Sequence, residues 1–219
     1  MSIDGEMVAP EQAKVSVLDR GFLYGDGVLE TVRTYGGEPF ALEEHVERLA
    51  TSAQLLGFEL PVREEVIERE IRAAVRAAGN EESVVRVLVT RGEGLGLMPP
   101  EEPSPLRVIV VEAMPPIARA MYRDGVTVVT DRAASPVPGA KVMSYLASLM
   151  AVRRARAAGA HEALLLDAEG YVLEGATSNF FLVIEGALVT APKGEVLAGV
   201  TRSRVLSIAG RLGIDVRFG

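Results

Sequence analysis

Residues 140–164 read "AKVMSYLASLMAVRRARAAGAHEAL". Lys141 stands directly after "SPVPG" (135–139), ahead of an alanine-, leucine- and arginine-rich stretch that Gly159 ends. A strand-like run "VTVVT" (126–130) comes before it and "EALLLD" (162–167) after it, so strand, turn, helix over roughly 143–158 and strand mark a mixed α/β region. The lysine itself is unusual. The chain has three, Lys14, Lys141 and Lys193, against 20 arginines. Where charge alone is wanted this sequence uses arginine, so a lysine here points to amine chemistry that a guanidinium cannot perform. Spacing alone also admits the plainer reading of a solvated lysine at a turn.

Upstream, residues 1–42 read as short strands broken by turns at "DG" (4–5), "GDG" (25–27) and "GG" (36–37). Between the last two, "VLETVRTY" (28–35) alternates, with Val28, Glu30, Val32 and Thr34 on one face and Leu29, Thr31, Arg33 and Tyr35 on the other. Such a mixed face suits a strand lining a polar cavity. Two helices follow, "LEEHVERLATSAQLLG" (42–57) and "VREEVIEREIRAAVRAAG" (62–79), each stopped by glycine. The runs "SVVRVLVTRG" (83–92) and "PLRVIVVEAM" (105–114) then read as strands joined by the glycine-rich loop "GEGLGLMPPEEPS" (92–104). The first domain is therefore α+β and spans 1–114. Residues 115–125, "PPIARAMYRDG", are the expected linker, and 126–219 form a second domain. In it, "YVLEGA" (171–176), "NFFLVI" (179–184) and "ALVTA" (187–191) read as strands, followed by a glycine loop, a helix from about Thr201 and an incipient strand.

Composition narrows the function. Apolar residues make up 48% and charged residues 24% of the 219, as in a soluble globular protein. A net charge of −7 argues against binding a nucleic-acid backbone, though not against a small anionic ligand. There is no cysteine, and the two histidines, His45 and His161, are thin material for a metal cluster or a His-based triad, so no metal is expected. "MSIDGEMVAPEQ" (1–12) lacks a signal-peptide pattern and no apolar run approaches membrane-spanning length, which predicts a cytoplasmic protein.

Three features of the second domain carry chemistry. Lys141 precedes a helix, Glu174 ends the strand "YVLE" before the small-residue run "GATSN" (175–179), and "LAGVT" (197–201) feeds the last helix. A helix start exposes unpaired N–H groups, Gly199 allows close approach to the backbone, and Thr201 adds a hydroxyl, so this loop reads as an anion cup. Alone, Thr201 reads as readily as an ordinary N-cap, Glu174 as an exposed strand-end carboxylate and 177–179 as a turn. Together they fit an aldehyde cofactor with a phosphate tail, which needs an amine, an anion cup and a carboxylate beside its pyridine nitrogen.

The stretches "LDRGFLYGDGVLETVRTYGG" (18–37), "GAKVMSYLASL" (139–149), "AGAHEALLLDAEGYVLEGATSNFFLV" (158–183) and "LAGVTRSRV" (197–205) closely resemble the class IV, or fold-type IV, pyridoxal-phosphate aminotransferases. That family includes branched-chain and D-amino-acid aminotransferases, (R)-amine transaminases and aminodeoxychorismate lyase. The resemblance implies a two-domain fold with pyridoxal 5′-phosphate in the interdomain cleft, and a homodimer whose partner subunit helps build the substrate pocket. It makes Lys141 the Schiff-base lysine and Glu174 the carboxylate on the pyridine nitrogen. It sets Arg48 in "HVERLATSA" (45–53) on the phosphate, with the cup at Val200 and Thr201, and Tyr145, one helical turn past the lysine, near the ring oxygen. Ser178, Asn179, Leu197 and Gly199 complete the cofactor site, and Tyr24, Leu29 and Arg33 face the substrate.

The implied reaction moves an amino group from an amino acid, branched-chain-like by family frequency, to a 2-oxo acid. Aminodeoxychorismate lyase, which eliminates pyruvate with the same lysine, is the alternative. The loop "TRGEGLGLMPP" (90–100) lacks the arginine and histidine with which D-amino-acid aminotransferases grip a carboxylate, which disfavours that branch. Family members normally continue past the point where "GIDVRFG" (213–219) stops, into a further phosphate-binding turn. A fragment that binds the cofactor poorly, or serves as a partner subunit, is thus a third expectation.

Overall fold

A computed structural model describes residues 1–132 and 137–219, and Ser135 and Pro136 of the "SPVPG" turn lie outside the described residues. It divides into two units: Met1–Pro116 with Ala140–Ser144, and Ile117–Gly139 with Tyr145–Gly219.

The first unit is built on six strands: β1 (Ser2–Ile3), β2 (Glu6–Met7), β3 (Gly27–Tyr35), β4 (Glu38–Pro39), β5 (Ser83–Thr90) and β6 (Arg107–Ala113). They form one sheet in the order β2-β1-β6-β5-β3-β4, with every neighbouring pair antiparallel. Alternation does the sorting. In β3, Val28, Glu30, Val32 and Thr34 are buried, and in β5 Ser83, Val85, Val87 and Val89 are. Helices α2 (Leu42–Leu55) and α3 (Glu64–Ala78) cover this face with Leu42, Val46, Leu49, Ile67, Ile71 and Val75. Glutamates at 43, 44, 64 and 65 suit the positive ends of these helices, and Gly79 caps α3 in the left-handed region.

Two elements in this unit depart from the strand-only reading of residues 1–42, the first a turn of 3-10 helix at Pro10–Gln12. Arg20–Tyr24 form a short helix, α1, because Asp19 accepts a hydrogen bond from the Phe22 N–H and Gly25 adopts φ 69° to stop it.

The second unit begins with α4 (Arg119–Asp124), a single helical turn inside the expected linker, ended by Gly125. Next come β7 (Val128–Asp131), α5 (Leu146–Ala157), β8 (Glu162–Leu166) and β9 (Val172–Gly175), then β10 (Leu182–Ile184), β11 (Ala187–Thr190), α6 (Val200–Arg211) and β12 (Val216–Phe218). The strands make two three-stranded sheets, β7-β8-β9 and β10-β11-β12. In each, one neighbouring pair is parallel, β7 with β8 and β11 with β12, and a helix makes the crossover. The core under α5 is small, with Ala151, Ala155, Ala160, Ala163, Leu165 and Ala176. Among the described residues no helix is long and apolar enough to cross a membrane.

The division differs from the boundaries expected at 114 and 126. Its first cut falls at Pro116, and Ala140–Ser144 folds with the first unit. The reason is pairing. β4 takes only the far end of β3, at Thr34 and Tyr35, and residues 141–143 occupy the edge left open at its start. Leu29 N–H donates to the Lys141 carbonyl (3.0 Å), Met143 N–H donates to the Gly27 carbonyl (2.9 Å), and Val142 faces Val28 antiparallel.

Candidate active site

Lys141 therefore sits in an extended segment, and α5 starts only at Leu146. The helix expected from about 143 does not reach back that far, since the Lys141 carbonyl and the Met143 N–H pair with β3 and fix 141–143 along its edge. Tyr145 is the N-cap of α5 rather than a residue one helical turn beyond the lysine. Lys141 is held a second time: its N–H donates to the Ser52 Oγ (3.1 Å), on a buried turn of α2. In the antiparallel register Lys141 lies opposite Leu29, so the two share a face of that pairing. By alternation the same face of β3 carries Arg33, four residues on, whose guanidinium lies 4.3 Å from the Tyr35 ring centroid and whose Nε is buried. Tyr24 closes α1, and its hydroxyl accepts from the Gly96 N–H (3.1 Å). Its ring lies 5.0 Å from the Arg20 guanidinium.

Arg48 precedes Ser52 by one helical turn, so the helix face that pins Lys141 also presents Arg48. Its guanidinium meets Glu30 as a fork, Nε to Oε1 at 2.7 Å and Nη2 to Oε2 at 2.8 Å. His45 Nδ1 lies 2.7 Å from Oε2, and the Thr31 N–H donates to that oxygen at 3.1 Å. Burial pushes the Glu30 carboxyl up, but the hydrogen bonds and charges of His45 and Arg48 outweigh it and hold it below the ordinary 4.5. The structure adds Glu30, His45 and Ser52 around Arg48 and Lys141, residues that the sequence motifs do not single out. A carboxylate on the apolar face of β3, with His45 and Arg48 three apart on a helix, was the available signal.

In the second unit Glu174 lies in β9, paired with Leu165 of β8. Asn179 is its partner: the Nδ2 donates to Glu174 Oε2 and to the Leu197 carbonyl, both at 3.1 Å. One amide thus ties the strand end to the loop before α6. Gly199 is the N-cap of α6, and no side chain caps the helix there. Thr201 is exposed in the first turn, so the N-cap reading of that threonine gives way to one with its hydroxyl outside the capping position. A Cβ on Gly199 would stand 1.8 Å from Asn179 Oδ1, which makes this glycine a matter of space, its φ of −61° being open to any residue. Ser178 closes a tight turn on Gly175, whose N–H donates to its carbonyl at 2.7 Å. Arg202, buried behind this loop, donates to the Ala191 carbonyl (2.6 Å). Desolvation lowers its pKa, against the opposing charge of Glu174.

Taken separately, each unit holds donors of the kind pyridoxal 5′-phosphate needs. In the first they are an amine and a rigidly held guanidinium; in the second, a carboxylate and a helix N-terminus without a side-chain cap, behind a glycine that leaves its backbone bare.

Known proteins agree with that chemistry. A putative branched-chain-amino-acid aminotransferase of Methanocaldococcus jannaschii is 38% identical over 98% of this chain and 76% of its own length. The crystal structure of the T.th. branched-chain amino acid aminotransferase complexed with N-(5′-phosphopyridoxyl)-L-glutamate superposes with a TM-score of 0.88 at 36% identity, covering 99% of this chain and 74% of that one. The 4-amino-4-deoxychorismate lyase of Pseudomonas aeruginosa superposes at 0.84 and 32% identity, over 99% and 80% of the two chains. The profile of the amino-transferase class IV family matches residues 27–218, and the chain belongs to that family.

Proposed function

We propose that this chain is a pyridoxal 5′-phosphate-dependent aminotransferase that moves the amino group of a branched-chain-like amino acid to a 2-oxo acid. The observation that carries the reading is the double anchoring of Lys141, on Leu29 and on Ser52, one helical turn from Arg48. When bound, the cofactor supplies an aldehyde that takes up the amino group and a ring that accepts electrons from the substrate Cα. Lys141 Nζ would hold that aldehyde until the substrate's amino group displaces it, and the freed amine would then move the proton at the substrate Cα. Glu174, oriented by Asn179, would keep a proton on the ring nitrogen. Arg48, the backbone N–H groups of Val200 and Thr201 and the Thr201 hydroxyl would bind the phosphate, with Ser178, Leu197 and Gly199 beside them and Tyr145 on the ring oxygen. Tyr24, Leu29 and Arg33 face the substrate, and an apolar Leu29 beside the lysine favours an aliphatic side chain.

The likeness to the Pseudomonas aeruginosa lyase supports a second reading, elimination of pyruvate from aminodeoxychorismate. Reduction of the protein loaded with pyridoxal 5′-phosphate by borohydride and peptide mapping should find the cofactor on Lys141, and a branched-chain amino acid should bleach the yellow absorbance expected of the loaded protein, with release of its 2-oxo acid. Label on Lys14 or Lys193 overturns the lysine assignment, and pyruvate from aminodeoxychorismate without bleaching by amino acids selects the lyase. The protein acts as a cytoplasmic homodimer: the exposed Phe22, Leu95, Leu97 and Met98 in the first unit suit a face covered by a second copy. A monomeric mass by light scattering at micromolar concentration removes that part.

A further inference from the structure

Glu30 is the least exposed charged side chain among the described residues, at 1%, and the reaction proposed above does not use it. It lies between Val28 and Val32, both at 0%, where an apolar residue would complete the face of β3. Desolvating a carboxylate is strongly unfavourable unless both oxygens are matched, and here they are. Oε1 accepts from Arg48 Nε, and Oε2 meets Arg48 Nη2, the Thr31 N–H and His45 Nδ1. A fork of this kind fixes the plane of a guanidinium as well as its position.

The charge works in the opposite direction. A carboxylate against Arg48 weakens the pull of that arginine on an anion, so charge alone gives no reason to place Glu30 there. Orientation does. The backbone of Lys141 is pinned by Ser52, one turn along α2, and a guanidinium with a fixed plane keeps its anion contact in register with that lysine.

We propose that Glu30 is a positioning residue for phosphate binding, acting through Arg48: it holds the guanidinium in the plane from which it meets the cofactor's phosphate. This rests on the reading of Arg48 as a phosphate ligand. Affinities for pyridoxal 5′-phosphate and for pyridoxal, which lacks the phosphate, test the two together. The aldehyde is common to both probes, so the ratio of affinities reports phosphate recognition alone. Wild type, Glu30→Gln, Arg48→Lys and the double variant are titrated by absorbance. Glu30→Gln should lower the ratio about ten- to hundred-fold, as expected for a charge-assisted contact, with the pyridoxal affinity itself little changed. In the Arg48→Lys background Glu30→Gln should lower it no further, since the fork is already gone.

If Arg48→Lys leaves the ratio as in wild type, Arg48 does not bind the phosphate, and the underlying reading falls with the inference. A ratio lowered by Arg48→Lys but untouched by Glu30→Gln overturns the inference alone. So does an equal loss of affinity for both probes in Glu30→Gln, which makes Glu30 an ion pair of the core. Should Glu30→Gln fail to fold, Glu30→Asp keeps the buried charge but withdraws the carboxylate by one methylene. It should show the same selective loss, and a wild-type ratio there overturns the proposal.

Discussion

At the scale of single residues, Glu174 separates charge from shape. Its Oε2 accepts from Asn179, and a glutamine can accept the same hydrogen bond through its amide oxygen. Glu174→Gln should therefore fold and retain the loop before α6, while in the proposed role the ring nitrogen would lose its anionic partner. The expected result is a half-reaction slowed by about ten- to a hundred-fold, the worth of one hydrogen bond to a charged group. Single-turnover absorbance measures it. An unchanged half-reaction rate would place the carboxylate that serves the ring nitrogen elsewhere. The place of Glu174 at a strand end was legible in the sequence because a strand-like run broken by small residues is a local pattern. Its partnership with Asn179 was not, since a "TSN" stretch reads equally well as a turn.

At the scale of elements, the start of α6 depends on one atom that is not there. Asn179 holds both Glu174 and the Leu197 carbonyl, and its Oδ1 fills the space a side chain on Gly199 would need. Gly199→Ala must displace Asn179, breaking or stretching both bonds, since 1.8 Å is far inside any contact distance. The loss of the two hydrogen bonds should cost about 1–3 kcal/mol of local stability. Faster amide exchange in residues 197–201, together with weaker cofactor binding, is the measurement. Exchange and affinity at wild-type values would show that the loop does not depend on this contact. The lysine segment teaches a related point about elements. The sequence predicts a helix from about 143, yet an open strand edge on β3 takes the Met143 N–H and the Lys141 carbonyl, and α5 starts at Leu146.

For the whole molecule, the relevant quantity is how buried charge responds to pH. Burial raises the pKa of Asp26, but Arg91 and Arg20, which hydrogen-bond to it, bring the net value below the ordinary 3.8, as His45 and Arg48 do for Glu30 from 4.5. A carboxyl whose folded pKa is lowered binds its proton more readily when unfolded. Its contribution to stability is fully present above the unfolded value and is lost as pH falls through the folded one. Urea midpoints should therefore be flat above about 4.5 and drop below it, and Glu30→Gln should flatten the drop relative to its own neutral-pH value. An equally steep acid drop in that variant would assign the sensitivity to other carboxylates.

The sequence by itself determined most of the elements, including Glu174 at a strand end and "LAGVT" at the start of a helix. These are short-range properties: periodicity, glycine stops and local spacing act within a few residues. Helices α2, α3 and α6 and strands β5 and β6 follow from them almost at their expected bounds. Only the tertiary structure decided that Lys141 belongs to the edge of β3, through the pairing of residues 141–143 with Gly27–Leu29, and that it is held as well by Ser52 of α2, 89 positions away. It alone joined Glu30 to Arg48 across 18 positions, and gave Gly199 its reason in a side chain 20 positions earlier. The strand edge, the buried carboxylate and the crowded glycine are answers to what packs against them, and no local stretch of sequence contains that neighbour.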